Sequence, residues 1–205
     1  MHILNPNDSE RRLNMAKIES TLKNMVLSLT LITIGASAAL GFVYEITKKP
    51  IEVTSMKNKL EAIKAVVPSF DNTPGSEMFI LPTDDGDSLE IYPAKVGDEI
   101  VAYAVKAGTQ KGFSGFIGIM VGFKPDGTII NTSVLEHKET PGLGSKITDP
   151  GFREQFNGKN PENFSLKVKK DGGQVDAITA ATISSRAFCD AIERAYNTLK
   201  KGGLI

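Results

Sequence analysis

The sequence has few residues of the kinds that bind metals or form disulfides. Its 205 residues include one cysteine, Cys189, two histidines, His2 and His137, and no tryptophan. Iron–sulfur clusters, structural zinc sites and intramolecular disulfides each need several cysteines or histidines. The sequence therefore excludes these sites, and any electron carrier in the protein would have to be organic. Cys189 stands among apolar residues at helical spacing, which predicts a small buried side chain.

The sequence also lacks a charge excess and the common nucleotide-binding motifs. Its 24 basic and 24 acidic side chains cancel, so no overall field attracts nucleic acid, and we expect no nucleic-acid partner. Neither a GxGxxG nor a GxxxxGK[ST] pattern occurs, which removes the case for a dinucleotide-binding fold or a P-loop.

A long apolar run lies near the N-terminus. Residues Met25–Tyr44 contain no charged side chain, and a helix of this length is about 30 Å long, the thickness of the hydrocarbon core of a bilayer. We predict an N-terminal tail over residues 1–23 and a transmembrane helix over 24–45. A cleaved signal peptide is the alternative, because Ala36-Ser37-Ala38 resembles a cleavage site, but the apolar run continues past it. Positive charges flank the apolar run on both sides, so they do not determine the orientation of the helix in the membrane.

The rest of the chain predicts a linker helix and one α+β domain. Apolar residues recur at helical spacing from Met56 to Val66 before Pro68, which indicates a linker helix over residues 46–70. The domain over residues 71–205 is predicted to hold a mostly antiparallel sheet with flanking helices. Five runs are predicted as strands, and the turn Lys124–Gly127 joins the last two as a hairpin: Met78–Leu81, Leu89–Val96, Glu99–Lys106, Gly115–Phe123 and Thr128–Leu135.

The C-terminal part contains the run Asp176–Thr182, whose small and hydroxyl-bearing residues could bind a phosphate. We predict a short helix at Phe152–Phe156, strands at Phe164–Lys169 and Gln174–Ile178, and a last helix that begins near Ser184 and ends at Lys200. Thr179 and Thr182 then lie in the turn before this helix, where unpaired N–H groups and the helix dipole favour an anion. Ordinary helix capping explains the same hydroxyl-rich residues and is the alternative.

A second motif, Glu139-Thr140-Pro141-Gly142-Leu143-Gly144, follows the fifth strand. Pro141 and Gly142 suit the central positions of a type II turn, and Gly144 permits a close approach of backbone to a ligand. A solvated loop is the alternative interpretation. A hydrolase triad of Ser184, His137 and Asp176 has little support, because the sequence contains no nucleophile elbow.

Together the two motifs resemble the FMN-binding domain shared by the G subunit of the Rnf electron-transport complex and the C subunit of the Na+-translocating NADH:quinone reductase. The resemblance rests on Glu139–Gly144 and Asp176–Ser185, with the segment Phe152–Lys159 between them. It implies that Thr182 carries FMN through a phosphoester bond that a flavin transferase installs. The chain departs from the family pattern at Ala180, where glycine is usual and where alanine fits only with a negative φ.

The resemblance also implies roles for the surrounding residues. Asp176 and Thr179 would shape the turn for the transferase, and Ser184 and Ser185 would cap the helix near the phosphate. A loop would pack near the flavin, and its residues are Glu139, Thr140, Leu143, Gly144 and Lys146.

The compact length of the chain favours the Rnf G subunit. The resemblance then implies an electron-transfer subunit, without independent catalysis, of an ion-translocating ferredoxin:NAD+ oxidoreductase. Its partners would be the other subunits and the lipid bilayer of the bacterial inner membrane, with the flavin domain on the periplasmic side. The C subunit of the quinone reductase and a cofactor-free, membrane-anchored assembly subunit are the alternatives.

Overall fold

The structure, a computed structural model, describes residues 21–205. The predicted tail over residues 1–23 therefore lies almost entirely outside the described residues. The first element, helix α1, spans Leu22–Val66. Within residues 21–205 it is the one helix that is long and apolar enough to cross a membrane, judged by length and composition. Its large apolar side chains between Met25 and Tyr44 are exposed, so they are free to face lipid.

The predicted span and linker form one helix instead of two. Helix α1 continues through Pro50 without a break. Proline removes one backbone hydrogen bond, but the helix continues past it for sixteen residues to Val66. The helix ends at Val66, shortly before Pro68, because a proline disfavours helical conformation in the residue before it.

The compact unit comprises Thr54–Ile205 and is built on a five-stranded antiparallel sheet. The strands lie in sequence order, each beside the next, which confirms the predicted α+β class. They are β1 (Phe79–Pro82), β2 (Ser88–Val96), β3 (Glu99–Gly112), β4 (Gly115–Phe123) and β5 (Ile129–His137). The Lys124–Gly127 turn joins β4 to β5 as predicted, with Gly127 at φ 81°.

Helices cover both faces of the sheet. One face packs against helix α3 (Thr182–Lys201), whose buried side chains include Phe188, Ile192 and Leu199. The other face packs against the last turns of α1, where Ile63 and Val66 are buried. Cys189 is 2% exposed on α3, as predicted, and burial raises the pKa of its thiol to about 12.

A charged cluster joins the end of α1 to the sheet. The Glu90 carboxylate on β2 accepts hydrogen bonds from Lys59 Nζ at 3.0 Å, from Lys106 Nζ at 2.9 Å and from the Tyr92 hydroxyl. Partial burial by itself would raise the pKa of Glu90, but these three donors outweigh it and lower the pKa to about 2.

The chain between β5 and α3 is mostly irregular. The predicted helix at Phe152–Phe156 is confirmed as α2 (Pro150–Arg153) followed by a 3₁₀ turn over Glu154–Phe156. The predicted strands Phe164–Lys169 and Gln174–Ile178 are wrong, because only one bridge, between Val168 and Val175, pairs the two segments. Both valines are fully buried, so their apolar character reflects two anchor points in the core and not two strands.

Candidate functional site

The two motifs predicted from the sequence meet at one cavity. Its volume is about 320 Å³, within the usual range for small-molecule sites. The turn at Phe113, the loop after β5 and the start of α3 enclose it. The lining residues are Phe113, Glu139, Thr140, Leu143, Gly144, Ala180, Ala181, Thr182, Ile183 and Ser184.

Helix α3 begins at Thr182, earlier than predicted. Ala181 is the N-cap residue and supplies no side-chain hydrogen bond. The prediction that Ser184 and Ser185 cap the helix is therefore wrong: both lie within the first turn and are at most 1% exposed. Ser184 Oγ donates to Glu139 Oε2 at 2.5 Å. Ser185 Oγ donates to the Ala181 carbonyl and accepts from the Ile178 N–H, each at 3.0 Å.

The first turn of α3 keeps its polar groups free for a ligand. Within residues 21–205, the backbone N–H groups of Thr182, Ile183 and Ser184 have no hydrogen-bond acceptor, and the Thr182 hydroxyl has no partner. Thr182 is partly exposed at the cavity. An uncapped helix N-terminus carries a partial positive charge and presents N–H donors to an anion.

Ala180 adopts a left-handed backbone conformation, which is unfavourable for a residue with a Cβ atom. Its φ is +63°, and it is the one non-glycine residue with a positive φ among residues 21–205. The expectation that alanine at this position has a negative φ is therefore wrong. The tight turn accounts for the conformation, since the Ala181 N–H reaches back to the Ile178 carbonyl at 3.0 Å.

The loop after β5 forms the predicted turn. The Leu143 N–H donates to the Thr140 carbonyl, and Gly142 has φ 75°, which fits the third position of a type II turn. Leu143 and Gly144 then face the cavity. Glu139 lies under this loop and is 4% exposed.

Three of the predicted site residues do not line the Thr182 cavity. Lys146 and Asp176 line a second cavity of about 350 Å³. The Asp176 carboxylate is 73% exposed and pairs with Lys169 Nζ at 2.7 Å, while the Gln155 side chain accepts from the Asp176 N–H at 2.8 Å. Thr179 is exposed and does not line the Thr182 cavity.

Sequence reasoning missed two apolar residues of the cavity. Phe113 is 67% exposed in the turn between β3 and β4, and Ile183 is 46% exposed on α3. Together with the half-exposed Leu143 they give the cavity an apolar rim. The position of Phe113 between Gly112 and Gly115 could have predicted its exposure. A side chain at the tip of a tight turn lies outside the hydrophobic core.

The structure does not assemble the alternative hydrolase triad. The Ser184 hydroxyl is bound to Glu139 and not to His137, whose Nδ1 accepts the Glu139 N–H at 3.2 Å. Asp176 pairs with Lys169. Among the described residues, no group of three or more histidine, cysteine or acidic side chains could hold a metal ion.

Comparisons with known proteins identify the domain. Residues 112–197, which include both motifs, match the family model of the FMN-binding domain. The chain therefore contains an FMN-binding domain, preceded by an apolar helix suited to membrane anchoring.

Relatives over nearly the whole chain identify the family. The G subunit of an ion-translocating oxidoreductase complex from Methanosarcina acetivorans is 35% identical over 181 residues, covering 86% of this chain and 93% of the relative. Its counterpart from Aliivibrio fischeri is 35% identical over 187 residues, covering 86% and 89%. The chain belongs to this family of G subunits.

One solved structure is similar to part of this chain. It is the crystal structure of the C subunit of the Na+-translocating NADH-quinone reductase from Parabacteroides distasonis. It is 26% identical and covers 55% of this chain and 59% of that one, with a TM-score of 0.43.

Proposed function

We propose that this chain is the membrane-anchored, electron-carrying G subunit of an ion-translocating ferredoxin:NAD+ oxidoreductase, with FMN esterified to Thr182. The observation that carries the proposal is the Thr182 hydroxyl. Among residues 21–205 it has no hydrogen-bond partner, and it is partly exposed at an uncapped helix N-terminus. It lies in a cavity built by both family motifs.

Burial selects one hydroxyl among four. Thr179, Thr182, Ser184 and Ser185 lie within seven residues of one another. Both serines are buried, and their hydroxyls are engaged in hydrogen bonds. Thr179 is exposed but lies outside the cavity. Thr182 is the one of the four that combines an available hydroxyl with the free N–H groups of the helix.

The electrostatics of the cavity suit a phosphodiester. FMN as a phosphate monoester carries nearly two negative charges at neutral pH, whereas its ester with Thr182 carries one. No lysine or arginine of residues 21–205 lines the cavity, so the helix dipole and three N–H groups have to stabilise this charge. The Glu139 carboxylate also lines the cavity, but it accepts its own hydrogen bonds from the Ser114 N–H and the Ser184 hydroxyl. The three N–H groups are therefore left for the single charge of the phosphodiester.

The apolar rim suits the flavin ring. Phe113, Leu143 and Ile183 are each at least 43% exposed, and a flat aromatic ring would cover their apolar surface. When bound, FMN supplies the electron-transfer chemistry. The protein then supplies attachment, orientation and a partly dry environment.

The attachment reaction needs an activated flavin. Free FMN would have to lose water to form an ester, so the donor is a flavin dinucleotide with a phosphoanhydride bond. The bond between Thr182 Oγ1 and phosphorus forms while the phosphoanhydride breaks, and a nucleoside monophosphate leaves. The flavin transferase takes up the proton of the hydroxyl. Exposed Asp176 and Thr179, close in sequence to Thr182, are available to the transferase for recognition.

The remaining assignments follow from the family. The apolar part of α1 would anchor the subunit in the inner membrane, with the flavin domain on the periplasmic side, where a covalent bond prevents loss of the cofactor. The other subunits of the complex would supply and accept electrons. The relatives that match most of this chain are G subunits, which favours this assignment over the quinone-reductase C subunit.

The test is co-expression with a flavin transferase. We expect in-gel flavin fluorescence and a mass increase of one FMN group on the tryptic peptide Asp171–Arg186, with fragment ions that locate it at Thr182. The variant Thr182→Ala should lose the flavin and keep its thermal unfolding midpoint. Thr73→Ala, a matched change at an exposed threonine outside the cavity, should keep the flavin.

Two results would contradict the proposal. Absence of flavin from the wild-type chain under these conditions would favour the cofactor-free assembly subunit. Flavin retained by Thr182→Ala would mean that the attachment site is another residue.

A further inference from the structure

The Glu139 carboxylate is enclosed where three elements meet. Its side chain is 4% exposed. Oε1 accepts the Ser114 N–H at 3.0 Å, in the turn between β3 and β4. Oε2 accepts the Ser184 hydroxyl at 2.5 Å, in the first turn of α3. One side chain therefore connects the turn, the loop after β5 and the attachment helix.

The surrounding backbone leaves room for this carboxylate and for little else. A Cβ atom on Gly112 would lie 2.7 Å from Glu139 Oε1. A Cβ atom on Gly144 would lie 2.5 Å from Oε2 and 2.6 Å from Ser184 Oγ. Real Cβ atoms do not approach oxygens this closely, so glycine at both positions lets the two backbones close around the carboxylate.

Glu139 forms no ion pair with any lysine, arginine or histidine among residues 21–205. An unpaired buried charge is unfavourable unless hydrogen bonds and local dipoles stabilise it. The two hydrogen bonds and the positive end of the α3 dipole provide this stabilisation.

We propose that Glu139 is a positioning residue for flavin attachment and holds the start of α3 against the turn between β3 and β4. This inference rests on the proposed function of Thr182. Ser184 is two residues from Thr182, and Ser114 is next to Phe113, so the carboxylate fixes the attachment hydroxyl relative to the apolar rim. Both of its oxygens are engaged by protein groups, so Glu139 shapes the cavity and does not act on the flavin.

The test measures flavin transfer to the full chain by purified flavin transferase. Glu139→Ala removes both hydrogen bonds. Glu139→Gln keeps the shape, with its oxygen accepting from the Ser114 N–H and its amide donating to the Ser184 hydroxyl. Ser184→Ala removes one contact. Glu136→Gln makes the same chemical change at an exposed position on β5 and serves as the control. Thermal unfolding of each variant is measured in parallel.

We expect Glu139→Ala to lower the kcat of transfer at least tenfold, about 1.4 kcal/mol, with an unchanged KM for the flavin donor. Glu139→Gln should recover most of this loss, Ser184→Ala should be intermediate, and Glu136→Gln should match the wild type. Recovery by glutamine separates positioning from a general loss of stability. Should Glu139→Ala fail to fold, Glu139→Gln and Ser184→Ala still carry the comparison.

Wild-type kcat in folded Glu139→Ala or in Ser184→Ala would overturn the positioning role. A Glu139→Gln protein as slow as Glu139→Ala would overturn it too. These results differ from failure of the proposed function, in which the wild type accepts no flavin or Thr182→Ala still does.

Discussion

The positive φ of Ala180 predicts that a glycine at this position stabilises the protein. An L-residue with a Cβ atom in the left-handed region is strained by about 1–2 kcal/mol, and Ala180 has φ +63°. Glycine removes this strain, but it loses about 0.4–1 kcal/mol through the greater freedom of the unfolded chain. We therefore expect Ala180→Gly to raise the free energy of unfolding by about 0.5–1 kcal/mol.

The assay is thermal and urea unfolding of the full chain in detergent, followed by circular dichroism. For a domain of this size, 1 kcal/mol shifts the unfolding midpoint by about 2–4 °C, so we expect an increase of about 1–4 °C. Gly172→Ala is the reciprocal control. Gly172 has φ 80°, and a Cβ atom there would meet nothing within 4 Å, so alanine adds backbone strain without a steric clash and should lower the midpoint.

An unchanged or lower midpoint for Ala180→Gly, combined with the expected decrease for Gly172→Ala, would refute this reasoning. It would mean that contacts of the Ala180 methyl group offset the backbone strain. A midpoint unchanged in both variants would mean that left-handed φ values carry little strain in this protein.

Three further predictions concern the sheet, the cavity and the core. The pKa of Glu90 is lowered from 4.5 to about 2, which corresponds to about 3 kcal/mol. This contribution is complete above about pH 4.5 and is lost as the pH falls toward 2. Glu90→Gln should therefore flatten the pH dependence of the urea-unfolding midpoint over this range, and an unchanged pH dependence would contradict this. Phe113→Ala should keep the unfolding midpoint, since the ring is 67% exposed, but should alter the absorption spectrum of attached flavin; an identical spectrum would place the ring of FMN elsewhere. Cys189, with its pKa raised to about 12, should react with a thiol reagent only after unfolding, and rapid labelling of the folded chain would contradict its burial.

The strands were predictable where alternation and turn residues coincide. Four predicted strands agree with the structure to within two residues at each end. Strand β3 continues to Gly112, past its predicted end at Lys106. The added residues include two glycines and have low strand propensity, so pairing with β4 and packing under α3 determine their conformation. Tertiary contacts of this kind are not visible as a pattern in the local sequence.

In the C-terminal segment the sequence pattern predicts more strand than the structure contains. Val168 and Val175 lie in runs that alternate like strands, yet each run contributes one bridge residue. The 3₁₀ turn at Lys169–Asp171 and Gly172 loop the chain around between them, so that the bridge between the two valines is parallel. A sequence pattern reports that a side chain is buried, but it does not report how many of its neighbours form ladder hydrogen bonds.

The candidate site also contains residues that the local sequence predicted and residues that it did not. The two motifs were recognisable because a turn needs Pro141 and Gly142 and because hydroxyl residues precede a helix, and both motifs reach one cavity. The positions of Lys146 and Asp176 at a second cavity depend on how the segment between the motifs folds. Nearness to Thr182 in the sequence therefore did not predict which residues line its cavity.

The start of α3 shows how one shifted helix boundary changes the chemistry of a site. A start near Ser184 would place a serine at the N-cap, where its hydroxyl would accept a hydrogen bond from one of the free N–H groups. With the start at Thr182 and an alanine before it, the serines point into the protein and bind Glu139 and the Ala181 carbonyl. The N–H groups then stay available beside a free hydroxyl. The strained Ala180 belongs to the turn that sets this start, so backbone strain and an uncapped helix end are two consequences of one local arrangement.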